Sequence, residues 1–128
     1  MAKVNSKYDI ETNRGDMLML SIKTTNRKTG QPYIFQVGDI VRFKVMKKKQ
    51  CNEVVLQKDV KVTEVCESVE MTIPSEEMKI GDIINKPVDY WYEVELNPDT
   101  PFTVTILGYT KETGPRILSL TPEGGDRK

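Results

Sequence analysis

Histidine is absent from this 128-residue chain. That removes the usual general base, the commonest metal ligand, and every Ser-His or Cys-His nucleophile pair. Cysteine is scarce: Cys51 and Cys66 stand alone. Two cysteines are too few for a disulfide framework, and without partner cysteines their spacing does not make a structural zinc site. No apolar run approaches the ~20 residues of a membrane span. The N-terminus, Met-Ala-Lys-Val-Asn-Ser-Lys, lacks the apolar core of a signal peptide. The expectation is synthesis in the cytosol, with no membrane partner and with any exit by another route, such as cell lysis. Net charge is also absent, 19 basic residues against 19 acidic ones. A general nucleic-acid binder shows a basic excess, so no nucleic-acid partner is expected. No glycine-rich loop has phosphate-cradle spacing, and Gly124-Gly125 lies in a polar tail with no helix after it. These absences predict a chain with no catalytic residues, no metal, no cofactor and no small-molecule ligand.

What is present is alternation. From Pro87 to Asn97, Val88, Tyr90, Tyr92, Val94 and Leu96 share one parity, and Asp89, Trp91, Glu93 and Glu95 share the other. Successive side chains of a strand point to opposite faces, so this is a half-buried strand with one apolar and one largely charged face. Pro87 opens it and Asn97-Pro98-Asp99 closes it with turn chemistry.

Similar patterns run along the chain. Tyr8 to Asn13 reads as a short strand, and Arg14-Gly15-Asp16 as a turn. In the next strand Leu18, Leu20 and Ile22 oppose Met17, Met19, Ser21 and Lys23, and the methionines suggest that their face is partly covered. Ile40 to Lys48 places Val41, Phe43 and Val45 inward, with Arg42, Lys44 and Met46 outward. Glu53 to Thr63 follows, and Lys58 on its inward parity points to a bulge or an edge. Cys51 and Cys66 fall at opposite ends of that strand. About ten residues at ~3.3 Å each separate them by ~30 Å, far beyond disulfide reach, so both are predicted to be free thiols. Val69, Met71 and Ile73 mark another strand. Pro74 to Lys79 is the one helical turn, with Ser75 as its cap, crossing between sheets. Phe102 to Tyr109 and Pro115 to Leu120 read as a hairpin.

Eight or nine short strands with almost no helix give an all-β class. The pattern reads as a β-sandwich or a small barrel, and the architecture favoured is an immunoglobulin-like antiparallel β-sandwich of about 7–9 strands, a single domain over residues 1–128. Its ends, about 1–7 and 121–128, are expected to be flexible.

The candidate sites are few. Glu93 and Glu95 share a face with Trp91, and Glu76 and Glu77 share a turn. A glycosidase needs two carboxylates across a cleft with sugar-stacking aromatics. The plainer reading is that these acids solvate the outer side of a sheet. Arg14-Gly15-Asp16 matches the tripeptide that integrins read, but a turn in which Gly15 supplies a permissive dihedral explains it as well. Lys47-Lys48-Lys49 reads as a solvated loop. Trp91 is the candidate subunit-interface residue. An indole on an acidic face must be covered by a loop, by the N-terminal arm or by a partner subunit, and tryptophan is enriched among interface anchors.

Certain segments carry a family likeness. Arg14-Gly15-Asp16 followed by an alternating strand, then Phe35-Gln36-Val37-Gly38-Asp39-Ile40-Val41-Arg42-Phe43-Lys44-Val45, resembles the N-terminal domains of phage baseplate upper proteins. Lys79-Ile80-Gly81-Asp82 through the strand at 87–97 looks like the later strands of that domain. The chain is also similar to small prophage tail proteins of Gram-positive gut bacteria. The likeness covers most of residues 8–122. It implies an immunoglobulin-like sandwich acting as an assembly module in a virion tail or baseplate, with no catalytic residues to carry over. The implied partners are other copies of the chain and other virion proteins, as a homo-oligomer or a ring about a tail axis. The implied location is the virion, after synthesis in the bacterial cytoplasm. Baseplate upper proteins usually continue into a helical or receptor-facing region. This chain does not, which makes a stand-alone component, a decoration protein or an adaptor the expectation. The alternative from another class is a carbohydrate- or cell-surface-binding β-sandwich module, which would need clustered exposed aromatics.

Overall fold

The structure is a computed structural model. It describes residues 3–4, 8–25, 29–47, 50–81, 84–108 and 114–122, with backbone only for 3–4 and 50–52. Among these residues the period-two alternation becomes nine strands. In chain order they are β1 Lys3–Val4, β2 Ile10–Asn13, β3 Leu18–Ile22, β4 Ile40–Lys47, β5 Gln50–Lys61, β6 Val69–Ile73, β7 Val88–Leu96, β8 Val104–Leu107 and β9 Arg116–Thr121. One 3-10 turn, Ser75–Met78, connects β6 to β7. The all-β class therefore stands, with nine strands in two sheets.

The larger sheet has seven strands. Six follow the order β1-β2-β9-β7-β4-β5, and β8 joins alongside β7. The smaller sheet is β3 paired with β6. The strand read most clearly from sequence, β7, has the most neighbours. One edge takes β4 from Tyr90 to Leu96, while the other is divided between β9 over Val88–Tyr92 and β8 over Val94–Leu96. The sheet is mixed, because β2 runs parallel to β9 from Ile10↔Leu118 to Asn13↔Thr121. Among the described residues the other strand pairings are antiparallel, so the order is mostly antiparallel with one parallel pair.

The core lies between the two sheets. Val41, Phe43, Val45, Tyr92, Val94, Leu96, Leu118 and Leu120 of the large sheet are buried there with Leu18, Ile22, Val69, Met71 and Ile73 of the small one. Phe43 and Tyr92 pack with ring centroids 5.5 Å apart. Met78 and Ile80 seal the crossing between the sheets, and Phe35 is fully buried although only an isolated bridge to Cys66 holds its backbone.

Several expectations are corrected. Met46 keeps the outward parity expected of it but is buried: it pairs with Trp91 on one side and Val54 on the other, where the β4–β5 register shifts. A bulge there bends the strand and increases the local twist. Met17 and Met19 are 54% and 68% exposed, so their face is open. Lys58 belongs to the edge strand β5 and reaches Glu77 at 3.4 Å, while the bulge lies nearer the start of β5. Ser75 is inside the 3-10 turn rather than its cap: Pro74 holds that position and no side-chain cap bond forms. Among the described residues β8 and β9 do not form a hairpin, since each pairs with β7. Cys66 is a free thiol, and the Cys51 side chain lies outside the described residues. The same holds for most of the expected flexible ends, although Lys3–Val4 pairs with β2 and β9 runs through Thr121.

Candidate functional site

Trp91 sits in the middle of the outer face of the large sheet. Its cross-strand neighbours are Met46 of β4 and Ile117 of β9, and Met46 is in turn paired with Val54 of β5. An apolar row thus crosses four strands. Trp91 and Ile117 are half-buried, Met46 is buried and Val54 is exposed. The indole Nε1 lies beneath the surface. Sequence parity alone surrounded Trp91 with acids, because the apolar company comes from other strands.

The acids of this face are paired. Lys44 lies between Glu93 at 3.3 Å and Glu95 at 3.8 Å. Arg42 donates to both oxygens of Asp59, at 2.9 and 3.1 Å, and to Asp99 at 3.0 Å. These contacts, led by the Asp59 hydrogen bond, push the guanidinium pKa further up against the opposing cost of burial. Glu76 and Glu77 contact Lys79 and Lys58. Each carboxylate of the two pairs considered for catalysis therefore meets a lysine ammonium. Of the tyrosines flanking Trp91, Tyr92 is buried and Tyr90 half-buried.

Arg14 is buried, which sequence did not reveal. Gly15, at φ +86°, turns the chain after β2. The Arg14 side chain then donates to the carbonyls of Ile80 at 2.9 Å, Lys79 at 3.2 Å and Gly81 at 2.7 Å. The Gly15 N–H adds a bond to the Met78 carbonyl at 3.1 Å. A guanidinium has five N–H donors in a fixed fork, which suits a cluster of carbonyls at the end of a turn. The tripeptide is thus a brace between distant segments, its arginine turned into the protein. An arginine between a strand end and a glycine was the available signal, but only the fold says which carbonyls it meets.

A groove opens where the small sheet fails to cover the large one. It encloses about 630 Å³ between β3 on one side and Tyr92, Val94 and β8 of the large sheet on the other. Tyr8 stands at its edge and is 53% exposed, its carbonyl accepting a short hydrogen bond from the Tyr92 hydroxyl. Burial pushes the Tyr92 pKa up to about 12.

Beside the start of β4 and the end of β7 the loops are stitched together. Asp39 accepts from the Tyr33 hydroxyl at 2.8 Å, the Gln36 N–H at 2.9 Å and the Asn97 amide at 3.2 Å. The Asn97 side-chain oxygen in turn accepts from the Ile40 N–H at 3.0 Å. Burial and the Asp39 bond push the Tyr33 pKa up to about 12. These loops carry exposed apolar side chains, Val37 and Phe102, the latter 78% exposed, and Val65 is exposed beside the Phe35–Cys66 bridge.

Searches of protein-family models, of curated proteins and of solved structures find no match to this chain.

Proposed function

We propose that this chain is a non-enzymatic structural protein of a phage or prophage virion, a tail or baseplate component that acts through protein–protein contacts. Its partners in this reading are copies of itself and other virion proteins. The observation that carries it is the way the segments behind the family likeness meet. The Arg14-Gly15-Asp16 turn clamps the carbonyls of residues 79–81, and the strands from the other two segments, β4 and β7, are paired along seven residues from Val41↔Leu96 to Lys47↔Tyr90. Stretches far apart in sequence thus form one continuous framework.

The finer fold assignment belongs to the same proposal. In the immunoglobulin sandwich of variable type, the larger sheet runs G-F-C-C′, and strands B and E belong to the opposite sheet. The order β9-β7-β4-β5, with β3 paired to β6 in the other sheet, supports this reading. Such a sandwich hosts many functions, so the site rather than the fold must support the role. Support comes from the outer face and the loop end. The Trp91 row, with Trp91 and Ile117 half-buried and Val54 exposed, is an apolar strip among charged residues, a composition that suits a contact surface. The exposed Val37 and Phe102 stand on loops joined by the Asp39–Asn97 bonds, and Val65 stands beside the Phe35–Cys66 bridge.

The test is composition of the particle. Virions purified from a strain carrying the gene are expected to contain the chain in fixed ratio to tail proteins, and labelled antibody is expected to mark the tail or baseplate in electron micrographs. Purified, infectious particles without the chain would overturn the proposal.

A further inference from the structure

We infer that the free edge of β3 is a strand-acceptor site, which takes an extended segment of a partner protein antiparallel to β3. Resting on the assembly role proposed above, the inference names the kind of contact and the chemistry of the partner. Two independent features meet here. The first is the edge. Among the described residues β3 pairs only with β6, so its other side presents unused backbone donors and acceptors. Native edges are usually blunted by charge, proline or a bulge. Here the β3–β6 register is regular from Leu18↔Ile73 to Ile22↔Val69. Within β3 the outward side chains Met19 and Ser21 are exposed and uncharged, and the one charge of this parity, Lys23, stands just past the strand's end.

The second feature is the groove beside that edge. Leu20 and Ile22 of β3 line one side, and Tyr92, Val94, Ile106 and Leu107 of the large sheet line the other. Its volume of about 630 Å³ falls within the range of ligand-binding clefts. Strand addition uses both features: main-chain bonds to the edge supply affinity, and alternate side chains entering the groove supply specificity. Partner residues opposite Leu20 and Ile22 point into the groove and must be apolar. Residues opposite Met19, Ser21 and Lys23 point away from it.

Charge completes the description. Lys23 is exposed and, among the described residues, is the only lysine, arginine or acid lining the groove. The partner segment therefore carries an acidic residue opposite it, near its own N-terminal end. A lone segment fits better than the β3 edge of a second copy. The large sheet extends past β3 beneath the groove, through Ile10 of β2 and Ile106 and Leu107 of β8. Two domains brought together edge to edge would collide there.

The probe is a synthetic peptide, acetyl-Asp-Val-Thr-Leu-Thr-Val-Thr-amide, added to the purified full chain. Binding is expected to shift the amide signals of residues 19–25 and 106–107 and to slow hydrogen exchange on the free side of β3. N-methylation of the pairing amides is expected to abolish binding. Lys23→Glu is expected to weaken it about two- to fivefold, as for an exposed ion pair. A peptide with Lys in place of the leading Asp should recover the loss on that variant. No binding at millimolar peptide, shifts confined to another face, or equal binding of the N-methylated peptide would overturn the inference, the last by making the groove a site for apolar ligands. Dimerisation of the chain through β3 without peptide would overturn it in favour of a second copy. These readouts use the chain alone, so they are independent of whether it is found in virions.

Discussion

The two faces of β7 are built from the same nine residues and are held in opposite ways. On the inner face Tyr92, Val94 and Leu96 are 3%, 2% and 6% exposed. They meet Val45, Phe43 and Val41 directly across on β4. On the outer face Trp91, Glu93 and Glu95 are half-buried, and Lys44 and Arg42 of β4 stand between the acids and the edge strand. Burial of apolar area is non-directional and adds up over the whole inner layer. Ion pairs at a surface gain little over their hydration, so the outer face contributes mainly solubility and contact specificity. The comparison separates what folds this domain from what it can present to a neighbour.

The largest effect should come from the inner face. Phe43 is fully buried and lies against Tyr92. Phe43→Ala is expected to cost about 3–5 kcal/mol, from lost transfer energy plus the cavity left behind. Chemical denaturation at neutral pH measures it. A loss below about 1 kcal/mol would break the comparison, because the inner layer would not then be the source of stability.

Next is alkaline pH. The buried Tyr92 hydroxyl is pushed up to about 12 from 10.0. The unfolded chain therefore ionises first. The stability this group contributes is intact below pH 10 and is lost as pH rises from about 10 towards 12, by about 2–3 kcal/mol in all. Tyr92→Phe should cost about 1 kcal/mol at pH 7, through loss of the bond to the Tyr8 carbonyl. It should also flatten the alkaline limb. An unchanged limb in this variant would mean that another group governs alkaline unfolding.

The smallest effect belongs to the outer face. Lys44→Ala leaves Glu93 and Glu95 without their shared cation. A cost of about 0.5–1 kcal/mol is expected, shrinking in high salt. Urea titrations at two ionic strengths measure it, and a salt-independent loss as large as that of Phe43→Ala would erase the distinction between the faces.

Legibility in the sequence followed the same division. The inner residues of β4, β6 and β7 could be read directly, because alternation within one strand reports one face. The outer row could not: Trp91 meets Met46 and Ile117, residues 45 and 26 positions away. The same reason hid the burial of Met46, the openness of the Met17–Met19 face and the Arg14 brace. The hairpin drawn between residues 102 and 120 failed because sequence proximity favours pairing of neighbours, whereas β7 offered one edge long enough for both strands. For the candidate site, sequence singled out Trp91 but not its surroundings, and it gave no sign of the groove.

By itself, then, the sequence determined the all-β class, the identity of the central strand and the absence of histidine chemistry. Those follow from composition and from a period of two, which are local properties. Tertiary structure alone decided the parallel β2–β9 pairing and, among the described residues, the pairing of β3 with β6 alone and the open β3 edge beside an apolar groove. Which edges are paired and which stay free is a balance of contacts between distant segments. A strand's own residues do not record it.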